Sequence, residues 1–340
     1  MVYMGKTFII AEMSANHNHN KDVAIETIKA AKKAGADAIK IQTYSSETET
    51  LDCRKPDFLL GDGLWKGETF FSLYRKANTP WEWHEEIYHV AKEEGLICFT
   101  TPTDKETIDF VEDFGNPIYK IASFDIIDIP FIRYAASKHK PMIVATGIAT
   151  EAEIKEAVDA IRKEGNDDIT LLKCTSAYPA PIDKANLLTI PDMKKRFGVK
   201  VGLSDHSPGS TVPMTAVALG AEVVEKHFII DRSIGGPDAD FSMNFREFKQ
   251  MVEDVRNVEK ALGSIYYPTN PDEITGRENC RSLYVAEDMK EGDVITEKNV
   301  RAVRPGYGLP INFLPQILGK KVKKDLEMGT RFSLEYVVDN

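Results

Sequence analysis

Between Thr7 and about residue 262 the chain repeats one pattern, a short apolar run followed by an amphipathic stretch. The apolar runs are TFIIAE, ADAIKIQT, LICFTT, PIYKIAS, PMIVATG, ITLLKCTS, VKVGLSDH and AEVVEKHF, eight in all. Between them, Asp22–Ala34, Glu82–Glu94, Lys105–Phe114, Glu151–Lys163 and Thr211–Leu219 carry apolar residues at helical spacing. Val- and Ile-rich runs alternating with helices predict parallel strands buried on both faces. Eight such units predict an α/β fold of the (β/α)8 TIM-barrel type. A doubly wound sheet is the rival, but it has no preference for eight units.

Polar residues capable of chemistry stand at the C-terminal end of nearly every run. They are Glu12, Lys40 with Gln42, Thr100, Lys120 with Ser123, Thr146, Thr175 with Ser176, Ser204 with His206, and Lys226 with His227. In a barrel that face carries the active site. Any one of them alone reads as a satisfied strand-end residue; their shared end favours a site.

The connection after the second strand runs from about Tyr44 to Pro80 and contains GDGLWKGETFFSLYRKANTPWEW. A long ordered insertion on the catalytic face is usually functional. Alternatively Phe70, Phe71, Tyr74 and Trp81 build a satellite core beneath it. The last barrel helix is expected over Asn244–Leu262, so the barrel domain spans 1–262. Residues 263–279, rich in Gly, Pro and Asn, read as a linker. Residues 280–340 form short strands between turns such as RPGYG and LEMGT. At that size a domain is near the lower limit for independent folding, so it is expected to lean on the barrel or on another subunit.

Composition narrows the function. Hydrophobic residues make up 42% and charged residues 28% of the 340, as in a water-soluble globular protein. No apolar run approaches the roughly 18 residues of a membrane span. The segment MVYMGKTFIIAEM reads as a strand and not a signal peptide. A cytoplasmic protein with no membrane role is expected. A net charge of −10 disfavours nucleic acid and requires any anionic substrate to be held by local cations and N–H groups. Cys53, Cys98, Cys174 and Cys280 are scattered, which argues against a cysteine zinc site and for reduced thiols.

His206 and His227 end neighbouring strands in SDHS and EKHF. Adjacent strands lie about 4.8 Å apart, so both imidazoles can reach one divalent ion; two hydrogen-bonded core histidines are the alternative. With two protein ligands such an ion keeps open positions, as a catalytic Lewis acid does. Lys40, Lys120 and Lys226 imply a polyanionic ligand or Schiff-base chemistry, and Ser123, Ser176 and Ser204 add hydroxyls suited to a small phosphorylated anion. An ion pair with Glu12 or Glu225 would explain one of these lysines and is strained for all three. Glu12 and Asp125 are candidate acid–base or hydroxyl-binding groups. Asp238 in GGPDADFS is a candidate that also reads as a turn cap. Arg304 in RPGYG is either a pre-organised donor or a solvated arginine.

The motifs IIAEMSANHN, GADAIKIQTY, YKIASFD, VATGIAT, LLKCTSAYP, VGLSDHS, VEKHF, GGPDADFSM and VRPGYGLP, in this order, resemble the sialic acid synthase family over essentially the whole chain. The C-terminal segment resembles the antifreeze-like SAF domain of these synthases. The resemblance implies condensation of phosphoenolpyruvate with an N-acetylated amino sugar, dependent on manganese or magnesium. By that likeness His206 and His227 hold the metal, Glu12 is the acid–base group, and Lys40, Lys120, Ser123, Ser176 and Ser204 hold phosphoenolpyruvate. Gln42, Asp125, Tyr178 and Asp238 match positions near the sugar. Arg304 matches an arginine that reaches the partner's site in a domain-swapped homodimer.

Three positions depart from neuraminate synthases: Ala145 for a serine, Ser176 for an asparagine and Asp125 for a glutamate. The shorter Asp125 reaches about 1.5 Å less. The stretch GLWKGETFFSLYRKANTPWEWH looks more like pseudaminic acid synthases. Their sugar is 2,4-diacetamido-2,4,6-trideoxy-L-altrose, whose apolar groups an aromatic loop would suit. N-acetylneuraminate or legionaminate synthesis, from N-acetylmannosamine or a related sugar, is the alternative within the family. A Schiff-base aldolase and a carbohydrate- or ice-binding protein are the alternatives outside it.

Overall fold

Each of the eight apolar runs forms a strand in the computed structural model of the chain, which describes residues 6–338. The first five residues of MVYMGKTFIIAEM lie outside the described residues; Phe8–Glu12 is a strand. The strands are β1 (Phe8–Glu12), β2 (Ala38–Thr43), β3 (Ile97–Pro102), β4 (Tyr119–Ile121), β5 (Met142–Ala145), β6 (Ile169–Cys174), β7 (Lys200–Asp205) and β8 (Val223–His227). They pair in sequence order, and β8 pairs back to β1, closing a parallel barrel. The rival doubly wound sheet is thereby excluded.

Helices close the crossovers where the amphipathic pattern placed them: Lys21–Ala34, His84–Glu93, Lys105–Glu112, Glu151–Lys163, Thr211–Ala218 and Phe245–Leu262. Their starts are chemically marked. Thr150 and Glu153, and Asn244 and Glu247, form reciprocal capping boxes that satisfy otherwise orphaned N–H groups. Helix Glu151–Lys163 then buries Ile154, Ala157, Val158 and Ile161 on one face. Each of the larger ones, Ile154, Val158 and Ile161, contributes on the order of 1.5–3 kcal/mol when fully buried.

Alternation along each strand separates two environments. On β8, Val224 packs outward with the helices, while Val223 packs inward with Phe8, Ile10, Ala38, Phe99, Ile143, Ala145 and Leu172. This inward layer is the apolar floor of the barrel. Gly202 on β7 is forced by it: a Cβ there would lie 2.6 Å from the Val223 carbonyl oxygen and 2.7 Å from Leu172 Cδ2. Above the floor the inward positions of several strands turn polar, as at Glu12, Lys40, Lys120, Ser204, Glu225 and His227, so that their side chains meet at one rim.

The connection 44–80 contains the helix Phe70–Ala77. Tyr74 packs against Tyr44 and Phe70, and Trp81 stacks on Phe110 at 4.4 Å. These are two separate aromatic groups, Tyr44–Tyr74–Phe70 and Trp81–Phe110, half-buried except for the buried Tyr44, and not one buried satellite core. The chain divides into two compact units, Met1–Gly263 and Ser264–Asn340. In the second, β9 (Ser282–Val285) pairs antiparallel with β10 (Val300–Val303) over a core of Leu283, Val285, Met289, Ile295, Val300 and Phe332. Among the described residues no helix is long and apolar enough to cross a membrane.

Candidate active site

The strand register brings the inward polar residues together. Glu12 is the Cα partner of Lys40 across β1–β2 and of His227 across β1–β8, and Ser204 is the partner of Glu225 across β7–β8. Glu12 ion-pairs with Lys40. Glu225 Oε1 lies 3.8 Å from Lys40 Nζ, 3.7 Å from Lys120 Nζ and 3.3 Å from Ser204 Oγ. All four charged groups are at most 5% exposed. Burial is costly for each ion, and the quartet survives by mutual neutralisation. Burial raises the Glu12 carboxyl above its usual range against the pull of Lys40. Lys40 is also pressed down by burial, but Glu12 and Glu225 outweigh this and raise it. Lys120, with weaker support, is lowered by burial.

Glu225 is the central residue that the sequence reading used only as a possible counter-ion. The signal was present, since it lies two positions before His227 and therefore on the same face. Lys226, by the same alternation, faces outward. It is 1% exposed and pairs at 2.5 Å with Asp205. It is not a cation of the mouth, which corrects the expectation of three. Thr100 and Thr146 also leave the mouth: Thr100 bonds Thr43 at 2.7 Å, and Thr146 bonds the Leu172 carbonyl at 3.0 Å. The expectation that ion pairing is strained for all three lysines fails as well, because each has a carboxylate partner.

Next to this quartet the hydroxyls of Ser123 and Ser176 lie 2.9 Å apart. Gly147 makes their space: a Cβ there would lie 2.2 Å from Ser176 Oγ and 2.7 Å from Ser123 Oγ. The Ile148 N–H donates to Ser123 Oγ at 3.1 Å. Two hydroxyls and an open cradle beside two ammonium groups suit a phosphate. Ala145, where the serine was absent, packs into the apolar floor.

The imidazoles of His206 and His227 lie on the same rim, 5.3 Å apart between ring centroids. The Thr175 carbonyl oxygen, 3.0 Å from His206 Nδ1, accepts from that nitrogen and leaves Nε2 available. His227 Nδ1 is buried without a hydrogen-bond partner. Burial lowers both rings, His227 well below the usual imidazole range. The 3.8 Å approach of Asp238 to His227 is therefore no ion pair. Neutral imidazole is the metal-binding form. Among the described residues no group of three or more His, Cys, Asp or Glu is arranged around a metal position. An ion here would have two protein ligands and take the rest from water and substrate.

Over the histidines, Tyr178 lies 4.3 Å from His206 and 5.1 Å from Phe241 between ring centroids. Gln42 Nε2 donates to Glu12 Oε1 at 3.2 Å and to Ser14 Oγ at 3.0 Å. Asp238 accepts from the Ser14 hydroxyl and, at 3.3 Å, from the Ala15 N–H. This ties the loop after β8 to the loop after β1. Asp125 follows Ser123 in a short 3-10 turn, and burial with the nearby Glu49 raises its carboxyl to about 7. Arg304 lies in the second unit. It is exposed and without hydrogen bond or ion pair among the described residues.

Comparison with known proteins gives concordant results. The NeuB family profile matches residues 27–267 and the SAF domain profile residues 281–333. The pseudaminic acid synthase of Campylobacter jejuni is 49% identical over 95% of this chain and 94% of its own. The N,N'-diacetyllegionaminic acid synthase of the same species is 33% identical over 95% of this chain and 97% of its own. The crystal structure of an N-acetylneuraminic acid (sialic acid) synthetase from Leptospira borgpetersenii superimposes with a TM-score of 0.71 at 30% identity, covering 79% of this chain and 89% of that one.

Proposed function

The chain belongs to the NeuB family, and on that premise we propose that it condenses phosphoenolpyruvate with 2,4-diacetamido-2,4,6-trideoxy-L-altrose to form pseudaminic acid. The margin in identity between the pseudaminic and legionaminic relatives carries the choice of sugar. The cradle of two lysines and paired serines beneath two neutral imidazoles supports the reaction type.

In this reading Lys40, Lys120, Ser123, Ser176 and Ser204 hold the anionic groups of phosphoenolpyruvate. Its carbon 3 forms a bond to the aldehyde carbon of the open-chain sugar, using the enol π pair, and positive charge develops at carbon 2. The aldehyde oxygen takes up a proton. Water adds at carbon 2 and gives up a proton, and Glu12 is placed to move protons here because burial gives its carboxyl access to both forms. Phosphate then leaves with the electrons of its carbon 2–oxygen bond while the hydroxyl on carbon 2 gives up its proton and becomes the ketone oxygen. A manganese or magnesium ion held by His206 and His227 would supply Lewis-acid polarisation of the sugar carbonyl. Gln42, Asp125, Tyr178 and Asp238 line the sugar side. A cytoplasmic location goes with these substrates.

The deciding assay is phosphate release with three sugars. The diacetamido trideoxy sugar is expected to be turned over, with N-acetylmannosamine and the legionaminate precursor poor. Better turnover of N-acetylmannosamine would move the assignment to neuraminate synthesis.

Arg304, in this reading, completes the sugar site of a second copy in a domain-swapped homodimer. Arg304→Ala is expected to raise the KM for sugar on the order of tenfold or more, as loss of a charge-assisted hydrogen bond does, with little change for phosphoenolpyruvate. Mixing Arg304→Ala chains with His227→Ala chains is expected to restore activity, because one site of each mixed dimer is then intact. Failure to complement would place Arg304 on its own barrel or outside the site.

A further inference from the structure

Trp65, in the 44–80 connection, packs with neither the Tyr44–Tyr74–Phe70 group nor the Trp81–Phe110 pair but with Tyr178. Trp65 sits at the tip of a hairpin closed by an antiparallel bridge between Leu59 and Thr69. Leu60 N–H donates to Glu68 O, and Gly67 N–H to Leu60 O, both at 2.9 Å. Gly63 and Gly67, flanking Trp65, adopt φ of +81° and +92°, which the tight tip requires. The indole Nε1–H donates to the Pro237 carbonyl at 3.0 Å. Pro237 immediately precedes Asp238 of the site.

The half-buried indole leans on Tyr178, with centroids 6.0 Å apart, and Tyr178 leans on His206. Trp65, Tyr178 and His206 thus form a continuous aromatic wall from the hairpin to the imidazoles. Phe241 adjoins this wall, 5.1 Å from Tyr178 and 4.9 Å from His227 between ring centroids. On its outer side Trp65 lines an open cavity of about 830 Å³ together with His19, Lys66, Arg75 and Pro237. The indole thus borders both an open cavity and Tyr178.

We propose that Trp65 is a sugar-specificity residue: its indole face is the apolar wall against which a methyl-bearing group of the amino sugar packs when the carbonyl end lies at the histidines. This deepens the functional reading above and rests on it. The class of ligand follows from the chemistry, since a flat apolar face latched at one edge recognises acetamido or deoxy methyl groups and not hydroxyls or phosphate.

The experiment compares wild type, Trp65→Phe and Trp65→Ala by phosphate release with the diacetamido trideoxy sugar and with N-acetylmannosamine. Removing a methyl-sized contact in a pocket changes kcat/KM by roughly 10–200-fold. Trp65→Ala is expected to lose on that order with the diacetamido sugar, to lose less with N-acetylmannosamine, and to keep its KM for phosphoenolpyruvate. Trp65→Phe, which keeps an aromatic face, is expected to recover most of the loss. Sugar addition is also expected to change indole emission in wild type and not in Trp65→Phe, where Trp81 and Trp83 remain. Unchanged discrimination between the sugars, or an equal loss for phosphoenolpyruvate, overturns the role of Trp65 alone. Wild-type protein that releases no phosphate with either sugar overturns the activity assignment, and this inference with it.

Discussion

Glutamine or alanine at His206 or His227 is expected to lower phosphate release on the order of a thousandfold while leaving phosphoenolpyruvate bound. A metal at a carbonyl contributes several kcal/mol to the transition state, and each 1.36 kcal/mol is a factor of ten in rate. Of the residues proposed to hold phosphoenolpyruvate, Lys40, Lys120, Ser123 and Ser176 come from other strands than the two histidines, and Ser204 on β7 keeps its side chain in these variants. Glutamine fills most of the imidazole volume, so a loss shared by glutamine and alanine reports the ligand and not the packing against Tyr178 and Phe241. Manganese binding measured by calorimetry is expected to vanish with the rate, and a chelator is expected to reproduce the effect in wild type until metal is returned. Variants with wild-type rate and wild-type metal affinity would remove the metal assignment altogether.

The architecture was readable because two local signals agreed. Val- and Ile-rich runs fixed the strands, and helical spacing between them fixed the parallel connection. The rim residues followed from position alone, since a barrel strand presents its C-terminal end to one face. Lys226 shows where that reasoning stopped short. Strand alternation places residues 225 and 227 on one face and 226 on the other, so EKHF already contained both the inward Glu225 and the outward lysine. Counting residues at strand ends without their parity put Lys226 in the wrong layer.

Other features had no local signal. The Gly147 gap matters only because Ser123 and Ser176 come from different strands and converge on it. The Trp65 latch depends on a carbonyl 172 residues further along the chain. The Thr175 carbonyl that orients His206 is 31 residues away. Such contacts follow from closure of the barrel and the path of its loops, which periodicity does not encode. Arg304 is a different case: its turn was visible in RPGYG, but the role proposed for it needs a second chain, which one sequence does not describe.

Lys226→Met is expected to destabilise the barrel by about 3–5 kcal/mol, because it leaves the Asp205 carboxylate buried without its cation. Lys226 and Asp205 are 1% and 3% exposed, and the ammonium also donates to the Ser207 carbonyl. Neither group can regain water without opening the packing between β7, β8 and the outer helices. For a unit of this size the loss corresponds to a fall in melting temperature on the order of 10 °C. Adding Asp205→Asn is expected to recover much of it, since asparagine can still accept from the Ser207 N–H that Asp205 holds at 2.9 Å. Folded Lys226→Met protein is expected to keep its KM for phosphoenolpyruvate, whereas Lys120→Met is expected to raise it, because Lys120 faces the cradle. The two lysines end equivalent apolar runs and differ by the face on which they emerge. Thermal unfolding together with substrate titration separates them, and equal behaviour of the two variants would mean that strand parity does not divide structure from function at this rim.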